Sequence, residues 1–350
     1  MMKEHGGDIY DKDIQIDFSA NINPLKMPPK VMEAAVKGVY EAYKYPDIEY
    51  KKLRYKIGRM ENLNLENIVC TNGASEFIYS LINTIRPKRA IIFAPTFSEY
   101  ENALRTIGCQ IIYYQLYEED KFKVNVEKLV EMLRPKFDIL FICNPNNPTG
   151  EIIDKQDLKI ILKHCEKNNI YLVVDECFNN FLDFPQKYSI KEYIYDYENL
   201  IVIKAFTKMY AMAGLRLGYG MCNINLAQRI KEAVPPWSVS IPAEYAAIEA
   251  MKEKDFVIES MKLIKKERKY LINELEKLGF EIYGSKANYI FFKCDKTLDL
   301  YELFKKNKIL IRDCSNYRGL EKGFYRIAVK THEENKRLIE EGEKFLWQKQ

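Results

Sequence analysis

From residue 67 onward, short apolar runs alternate with amphipathic stretches of about ten residues. The runs 68–70, 89–94, 110–114, 139–143, 170–174, 201–204 and 217–221 read as strands. Between them, 77–85, 98–107, 126–133 and 155–167 carry apolar residues at helical spacing. Strands with near-continuous hydrophobicity that alternate with helices predict an α/β fold: a mainly parallel seven-stranded sheet, covered on both faces. Ligands in such sheets sit beyond the carboxyl ends of the strands. Gly73, the segment 95–97, the segment 144–150, Asp175 and Thr207-Lys208 all fall there.

The flanks read differently. Residues 1–27 show no helical period and suggest an extended arm, with polar groups held on Asp17-Phe18-Ser19-Ala20-Asn21-Ile22-Asn23-Pro24-Leu25. Pro28-Pro29 opens a helix to about Tyr43, and Asp47 caps a second over roughly 48–60. After Pro235-Pro236-Trp237, helices at 243–252, 255–278, 298–306 and from His332 mix with strands at 280–283, 289–294, 309–311 and 324–329. The expected division is an arm (1–27), a large domain (49–240), and a smaller α+β domain built from 241–350 with 28–48 as a further part.

Composition removes several classes of function. A net charge of +4 over 350 residues, with no basic cluster, does not imply nucleic acid. Met1-Met2-Lys3-Glu4-His5-Gly6-Gly7-Asp8 lacks the apolar core of a secretory leader, and no run reaches the roughly 18 residues of a membrane span. Eight scattered cysteines without a Cys-x-x-Cys pair suggest buried thiols of a reduced, cytoplasmic protein. The three histidines stand at no metal-ligand spacing, so no metal is expected.

Lys208 lies just beyond the apolar run Leu200-Ile201-Val202-Ile203. A lysine at the mouth of a buried strand shifts its pKa readily, which suits a Schiff-base amine; a snorkelling side chain fits the stretch equally well taken alone. Asp175 ends another apolar strand, where a desolvated carboxylate needs a cationic partner. Thr71-Asn72-Gly73-Ala74-Ser75 leads into a helix N-terminus, a place that favours phosphate. Asn144-Pro145-Asn146-Asn147-Pro148-Thr149-Gly150 is a stiff turn that presents an asparagine side chain. Together these parts describe a pyridoxal 5'-phosphate site. Lys208 forms the imine and Asp175 pairs with the pyridine nitrogen. Gly73, Ala74, Ser75, Thr207 and Arg216 hold the phosphate, Phe97 stacks on the ring, and Asn147 meets the phenolic oxygen.

These motifs, with Gly214-Leu215-Arg216-Leu217-Gly218, stand in the order and spacing of the fold-type I pyridoxal-phosphate enzymes, the aspartate aminotransferase superfamily, which the chain resembles along nearly its whole length. Within it, the chain is most similar to the threonine-phosphate decarboxylases of cobalamin synthesis. That likeness is carried by His5-Gly6-Gly7, the segment from Asp17 to Leu25, Pro236-Trp237-Ser238-Val239, the segment 311–320 and Phe324-Tyr325-Arg326-Ile327-Ala328-Val329. The resemblance implies that Arg326 binds the substrate carboxylate, that Asn147 also meets the substrate, and that His5, Ser19, Asn21 and Arg312 receive the substrate's phosphate. It implies a homodimer in which Tyr45 reaches the neighbouring subunit's cofactor. The implied reaction is decarboxylation of L-threonine O-3-phosphate to (R)-1-aminopropan-2-yl phosphate. The alternative is a histidinol-phosphate aminotransferase or another phospho-amino-acid transaminase. A non-catalytic regulator is the rival of another class, and Lys208, Asp175 and Arg326 together argue against it.

Three positions depart from the family pattern. Phe178 stands where aminotransferases commonly carry a tyrosine bonded to the cofactor's phenolic oxygen, and Ala205 where a hydroxyl residue often meets its phosphate. Lys26 follows Leu25 where the decarboxylases often have glycine, and nothing in the residues explains it.

Overall fold

The computed structural model describes residues 5–347. Four residues of the expected arm, and part of the stretch judged not to be a leader, lie outside the described residues. Thirteen strands appear among those described: β1 (Ile16–Asp17), β2 (Ile68–Thr71), β3 (Arg89–Ala94), β4 (Gln110–Gln115), β5 (Ile139–Cys143), β6 (Tyr171–Asp175), β7 (Leu200–Ala205), β8 (Gly218–Cys222), β9 (Glu281–Tyr283), β10 (Tyr289–Lys293), β11 (Ile309–Leu310), β12 (Arg312–Asp313) and β13 (Phe324–Ala328).

The seven strands expected from the hydrophobic pattern form one sheet, in the order β2-β8-β7-β6-β5-β3-β4. Its strands are parallel except β8, which runs antiparallel to both β2 and β7. Period-two geometry explains the unbroken apolar runs. Leu140, Ile142, Leu172, Val174, Leu200 and Val202 enter one core. Their alternates Ile139, Phe141, Val173, Ile201 and Ile203 enter the other, beneath Phe77, Ile78, Leu81 and Ile82 of helix Gly73–Ile85.

A four-stranded antiparallel sheet, β12-β13-β10-β9, lies in the C-terminal region with helices Lys254–Lys277, Leu300–Lys306 and His332–Trp347. The strand expected at 309–311 divides. Residues 309–310 pair with β1, whereas 312–313 turn to β13, because adjacent residues of one extended segment meet two different neighbours. The arm is therefore not merely extended: β1 is a parallel strand against β11. Two helix starts also shift. The helix expected from Phe77 begins at Gly73, and the one expected from residue 48 begins at Lys51, because Asp47 accepts the Glu49 and Lys51 amides and caps the turn before it. Helix Ile224–Ala233 was not expected, although Asn223 caps it and it buries Leu226, Ala227 and Ile230 at helical spacing.

Among the described residues no helix is long and apolar enough to cross a membrane, and no cluster of histidine, cysteine and carboxylate side chains could hold a metal. All eight cysteines are free, and all but Cys177 are buried.

Candidate active site

A cavity of about 420 Å³ opens at the carboxyl ends of β5, β6 and β7. Its lining brings together Lys208, Asp175, Asn147, Ala74, Ser75, Phe97, Thr207, Arg216, His5, Ser19, Asn21 and Arg326. Segments more than 300 residues apart in sequence meet here: the Arg326 guanidinium donates Nη2–H to the Ser19 carbonyl at 2.7 Å.

Asp175 is the last residue of β6 and 5% exposed. Its Oδ2 accepts from the Tyr100 hydroxyl at 2.7 Å, and its Oδ1 from the Cys177 amide at 3.0 Å. Burial, and then the Asp175 charge, push Tyr100 well above the usual phenol range, so its hydroxyl stays a donor. Lys208 is partly exposed, to the cavity that it lines. No hydrogen bond or ion pair among the described residues engages its amine, which lies 5.9 Å from the centre of the Phe178 ring. Burial, and then the positive charge of Arg326, lower the Lys208 pKa to about 8. An amine without a hydrogen-bond or ion-pair partner among the described residues, which gives up its proton more readily than an ordinary lysine and faces the same cavity as a carboxylate, is poised for addition to an aldehyde.

The anion cradle rests on two close approaches. Helix Gly73–Ile85 presents its first amides beside the cavity, and Gly73 has φ +79. A Cβ on Gly73 would fall 2.5 Å from Arg216 Nη2, and one on Gly218 only 2.4 Å from the Ala74 nitrogen. Glycine at both positions lets the start of β8, the helix N-terminus and the Arg216 guanidinium nest together. Backbone amides, a helix dipole and an exposed guanidinium in one place fit a phosphate. Gly73 itself does not line the cavity; it makes room for Arg216.

The asparagine-rich turn is held on all sides. Asn144 receives the Ile153 amide and donates to the Ile153 and Tyr188 carbonyls. Asn146 bonds Thr96, Pro95 and Thr149, and its carbonyl takes the Tyr289 hydroxyl at 2.7 Å. That leaves Asn147 directed at the cavity, where its Oδ1 accepts from Arg326 Nη1. Arg326 is 5% exposed on β13, yet among the described residues its Nε has no hydrogen-bond partner, nor does the buried Oδ1 of Asn21. A buried donor such as Arg326 Nε, left without a partner beside a cavity, marks where an acceptor of the ligand completes the bonding. These residues fit pyridoxal phosphate and an anionic substrate.

Besides Gly73, two expected residues lie outside the cavity lining. Tyr45 is 75% exposed and stacks on Trp237 with ring centres 4.5 Å apart, outside the cavity. Arg312 lines a neighbouring space with Thr96, Phe97 and Tyr317; it bonds the Asn316 side chain at 2.8 Å and the Asp313 carbonyl at 2.7 Å. Tyr317 and Phe97 line both spaces. Of the three departures, Phe178 and Ala205 line the cavity and supply no hydroxyl there, and Lys26 does not line it. Sequence reasoning missed Glu99, Cys143, Cys177 and Tyr317, which also line it, and Tyr100 behind Asp175. Only Cys177, two residues after Asp175, and Tyr317, within the segment 311–320, carried a positional signal.

The family model for aminotransferase class I and II matches residues 13–341. The threonine-phosphate decarboxylase of Salmonella typhimurium is 33% identical, over 96% of this chain and 94% of its own length. A relative from Caldanaerobacter subterraneus subsp. tengcongensis that bears the same activity in its name is 37% identical over 96% of this chain and 92% of its own. The crystal structure of histidinol-phosphate aminotransferase from Clostridium acetobutylicum superposes with a TM-score of 0.88 at 32% identity, covering 95% of this chain and 99% of that one. With the cavity, its lysine, its carboxylate and its anion cradle in place, the chain belongs to the class I and II aminotransferase family.

Proposed function

We propose that the protein is a pyridoxal-phosphate enzyme that decarboxylates L-threonine O-3-phosphate to (R)-1-aminopropan-2-yl phosphate, for cobalamin synthesis. The observation that carries the reading is the junction of two anion stations in one cavity: Arg216 with the first turn of helix Gly73–Ile85, and Arg326 with the arm residues His5, Ser19 and Asn21. Two relatives named for this activity, at 33% and 37% identity, support it.

In this reading Lys208 would hold the cofactor's aldehyde carbon, Asp175 its ring nitrogen, Phe97 one ring face and Asn147 its phenolic oxygen. Ala74, Ser75, Thr207 and Arg216 would hold its phosphate, with Gly73 giving them room. When bound, pyridoxal phosphate supplies an electron sink in conjugation with the substrate Cα. Arg326 grips the substrate carboxylate through paired N–H donors, and His5, Ser19 and Asn21 receive the phosphate, with Arg312 joining from the neighbouring space. Holding the substrate at both ends would fix rotation about its Cα bonds, so that Arg326 and the arm residues decide which of those bonds is presented for cleavage. Lys208, with a pKa of about 8, returns a proton to Cα after CO₂ leaves.

The reading takes residues 49–240 as the cofactor domain, and 28–48 with 241–350 as the smaller one; the close fit of Gly38 against Pro242 supports the second grouping. It places the enzyme in the cytoplasm, in keeping with eight free thiols. It also makes the protein a homodimer in which Tyr45 reaches the partner's cofactor phosphate. The exposed Met32, Val36, Val39, Tyr40 and Tyr43, at helical spacing on and after helix Pro29–Tyr40, support an apolar contact face.

The test is a product assay with the reconstituted protein. CO₂ released from L-threonine phosphate without a keto acid supports the reading. Keto-acid-dependent amine transfer from histidinol phosphate, without CO₂, replaces it with the aminotransferase alternative.

A further inference from the structure

Glu99 is a carboxylate lining a cavity whose proposed ligands bring phosphates and a carboxylate, groups that it would repel. It opens helix Glu99–Thr106 and is buried. Its Oε1 accepts from Asn102 Nδ2 at 2.7 Å and lies 3.1 Å from His5 Nε2, and its Oε2 accepts from the Tyr79 hydroxyl at 3.2 Å. These donors come from its own helix, from helix Gly73–Ile85 and from the N-terminal arm. A helix dipole favours an acid in the first turn, but it does not require a buried side chain that gathers partners from two other segments.

The arm meets the rest of the site close by. The Gly7 amide donates to Ser19 Oγ at 2.8 Å. A Cβ on Gly6 would fall 2.1 Å from the Ser19 carbonyl oxygen, which itself receives Arg326. The His5 ring is tilted by 50° against Phe97, with centres 6.2 Å apart. With Nε2–H directed at the carboxylate, the ring has only Nδ1 left for a ligand, and Nδ1 donates to a phosphate when both ring nitrogens carry protons.

We propose that Glu99 is a positioning residue: it pins His5, and with it the arm, over the cavity so that the imidazole meets the phosphate of the substrate. The inference rests on the proposed substrate class, and it deepens that reading by assigning the arm's anchor. Glu99 acts through His5 and touches neither substrate nor cofactor.

The holoenzyme tests this, since bound cofactor fills the other anion station. Glu99→Ala raises KM for L-threonine phosphate about tenfold and leaves kcat within about twofold, the size of one well-placed hydrogen bond. Glu99→Gln, which keeps an acceptor for Nε2–H, recovers part of that loss. His5→Gln matches Glu99→Ala, and the double variant is no worse than either. Cofactor absorbance and melting temperature report whether each variant is folded and loaded. A fall in kcat at unchanged KM, or effects that multiply in the double variant, overturns the proposal. Calorimetric titration of the holoenzyme with inorganic phosphate separates this outcome from the fate of the wider reading. Should the wild type release no CO₂, phosphate binding weakened in Glu99→Ala upholds the arm's role, and equal binding removes it.

Discussion

The Tyr100 hydroxyl and Asp175 Oδ2 lie 2.7 Å apart, and both side chains are buried. The tyrosine opens no path to the ligand; it stacks on Phe141 with ring centres 5.0 Å apart and holds the carboxylate from behind. The second oxygen is fixed by the Cys177 amide. Tyr100→Phe removes one donor and leaves a buried charged acceptor short of a partner, a loss of about 1–3 kcal/mol. Urea unfolding of the apoprotein measures it. A variant as stable as the wild type would show that Asp175 does not depend on this bond.

The amine of Lys208 titrates at about 8, against an ordinary 10.5. Below pH 8 folded and unfolded chains both carry the proton, so the cost of burying the cation is fully felt. Between about 8 and 10.5 the folded state has lost it and the unfolded state has not, so stability gains with rising pH. The reactive free amine becomes dominant above about 8. The rate at which the apoprotein captures pyridoxal phosphate, trapped by borohydride, should therefore climb through that pH and level off. A rise centred near 10.5 would mean that the cavity does not perturb the lysine.

Arg326 donates to Asn147 and to the Ser19 carbonyl, and keeps Nε for a ligand. A lysine carries the charge but not the planar fork. Arg326→Lys should raise KM for L-threonine phosphate on the order of 100-fold, the equivalent of about 3 kcal/mol of charge-assisted hydrogen bonding. Steady-state kinetics decide this, and an unchanged KM would place the carboxylate elsewhere.

Much of this arrangement is legible in the sequence. Lys208, Asp175 and Arg326 stand out because each is charged at the end of, or inside, an apolar strand, where burial demands a reason. The seven-stranded sheet followed from the same apolar runs. Strand order did not, because nothing in β3 or β5 says that they become neighbours with β4 outside. That order places helix Glu99–Thr106 at the site, so Glu99 and Tyr100 looked like ordinary residues of an amphipathic helix. The division of residues 309–313 between two sheets was equally invisible, since the choice lies with β1 and β13, far away in the chain.

The nested glycines make a sharper prediction. Gly218 stands so close to the Ala74 nitrogen that a methyl group cannot enter without moving the helix start. Gly218→Ala should cost about 1–3 kcal/mol of stability by overpacking and weaken cofactor binding as the first-turn amides shift. Fluorescence titration with pyridoxal phosphate and thermal melting read the two effects. A fall in stability with full cofactor affinity would place the phosphate away from this turn.

Behind the site lies a charge cluster that no pattern announced. Glu61 closes helix Lys51–Glu61 and is almost wholly buried; it pairs with Lys204 of β7 at 3.1 Å and with Lys191, and it accepts the Tyr219 hydroxyl at 2.6 Å. Burial alone would raise its pKa, but Lys204 and then Lys191 overcome that and lower it to about 2, from an ordinary 4.5. Its stabilising contribution is thus complete above about 4.5 and is lost as pH falls toward 2. Glu176, beside Asp175 and 3.8 Å from Lys204, has the opposite sign: burial raises its pKa, so protonation in mild acid relieves it. Glu61→Gln leaves two lysines facing a neutral amide, and at pH 7 should cost about 3–5 kcal/mol. Because acid neutralises the wild-type carboxylate as well, the gap between wild type and variant should close as pH falls from about 5 toward 2. Urea unfolding across that range checks the slope. A gap that stays constant with pH would mean that Glu61 contributes packing and hydrogen bonds but not charge.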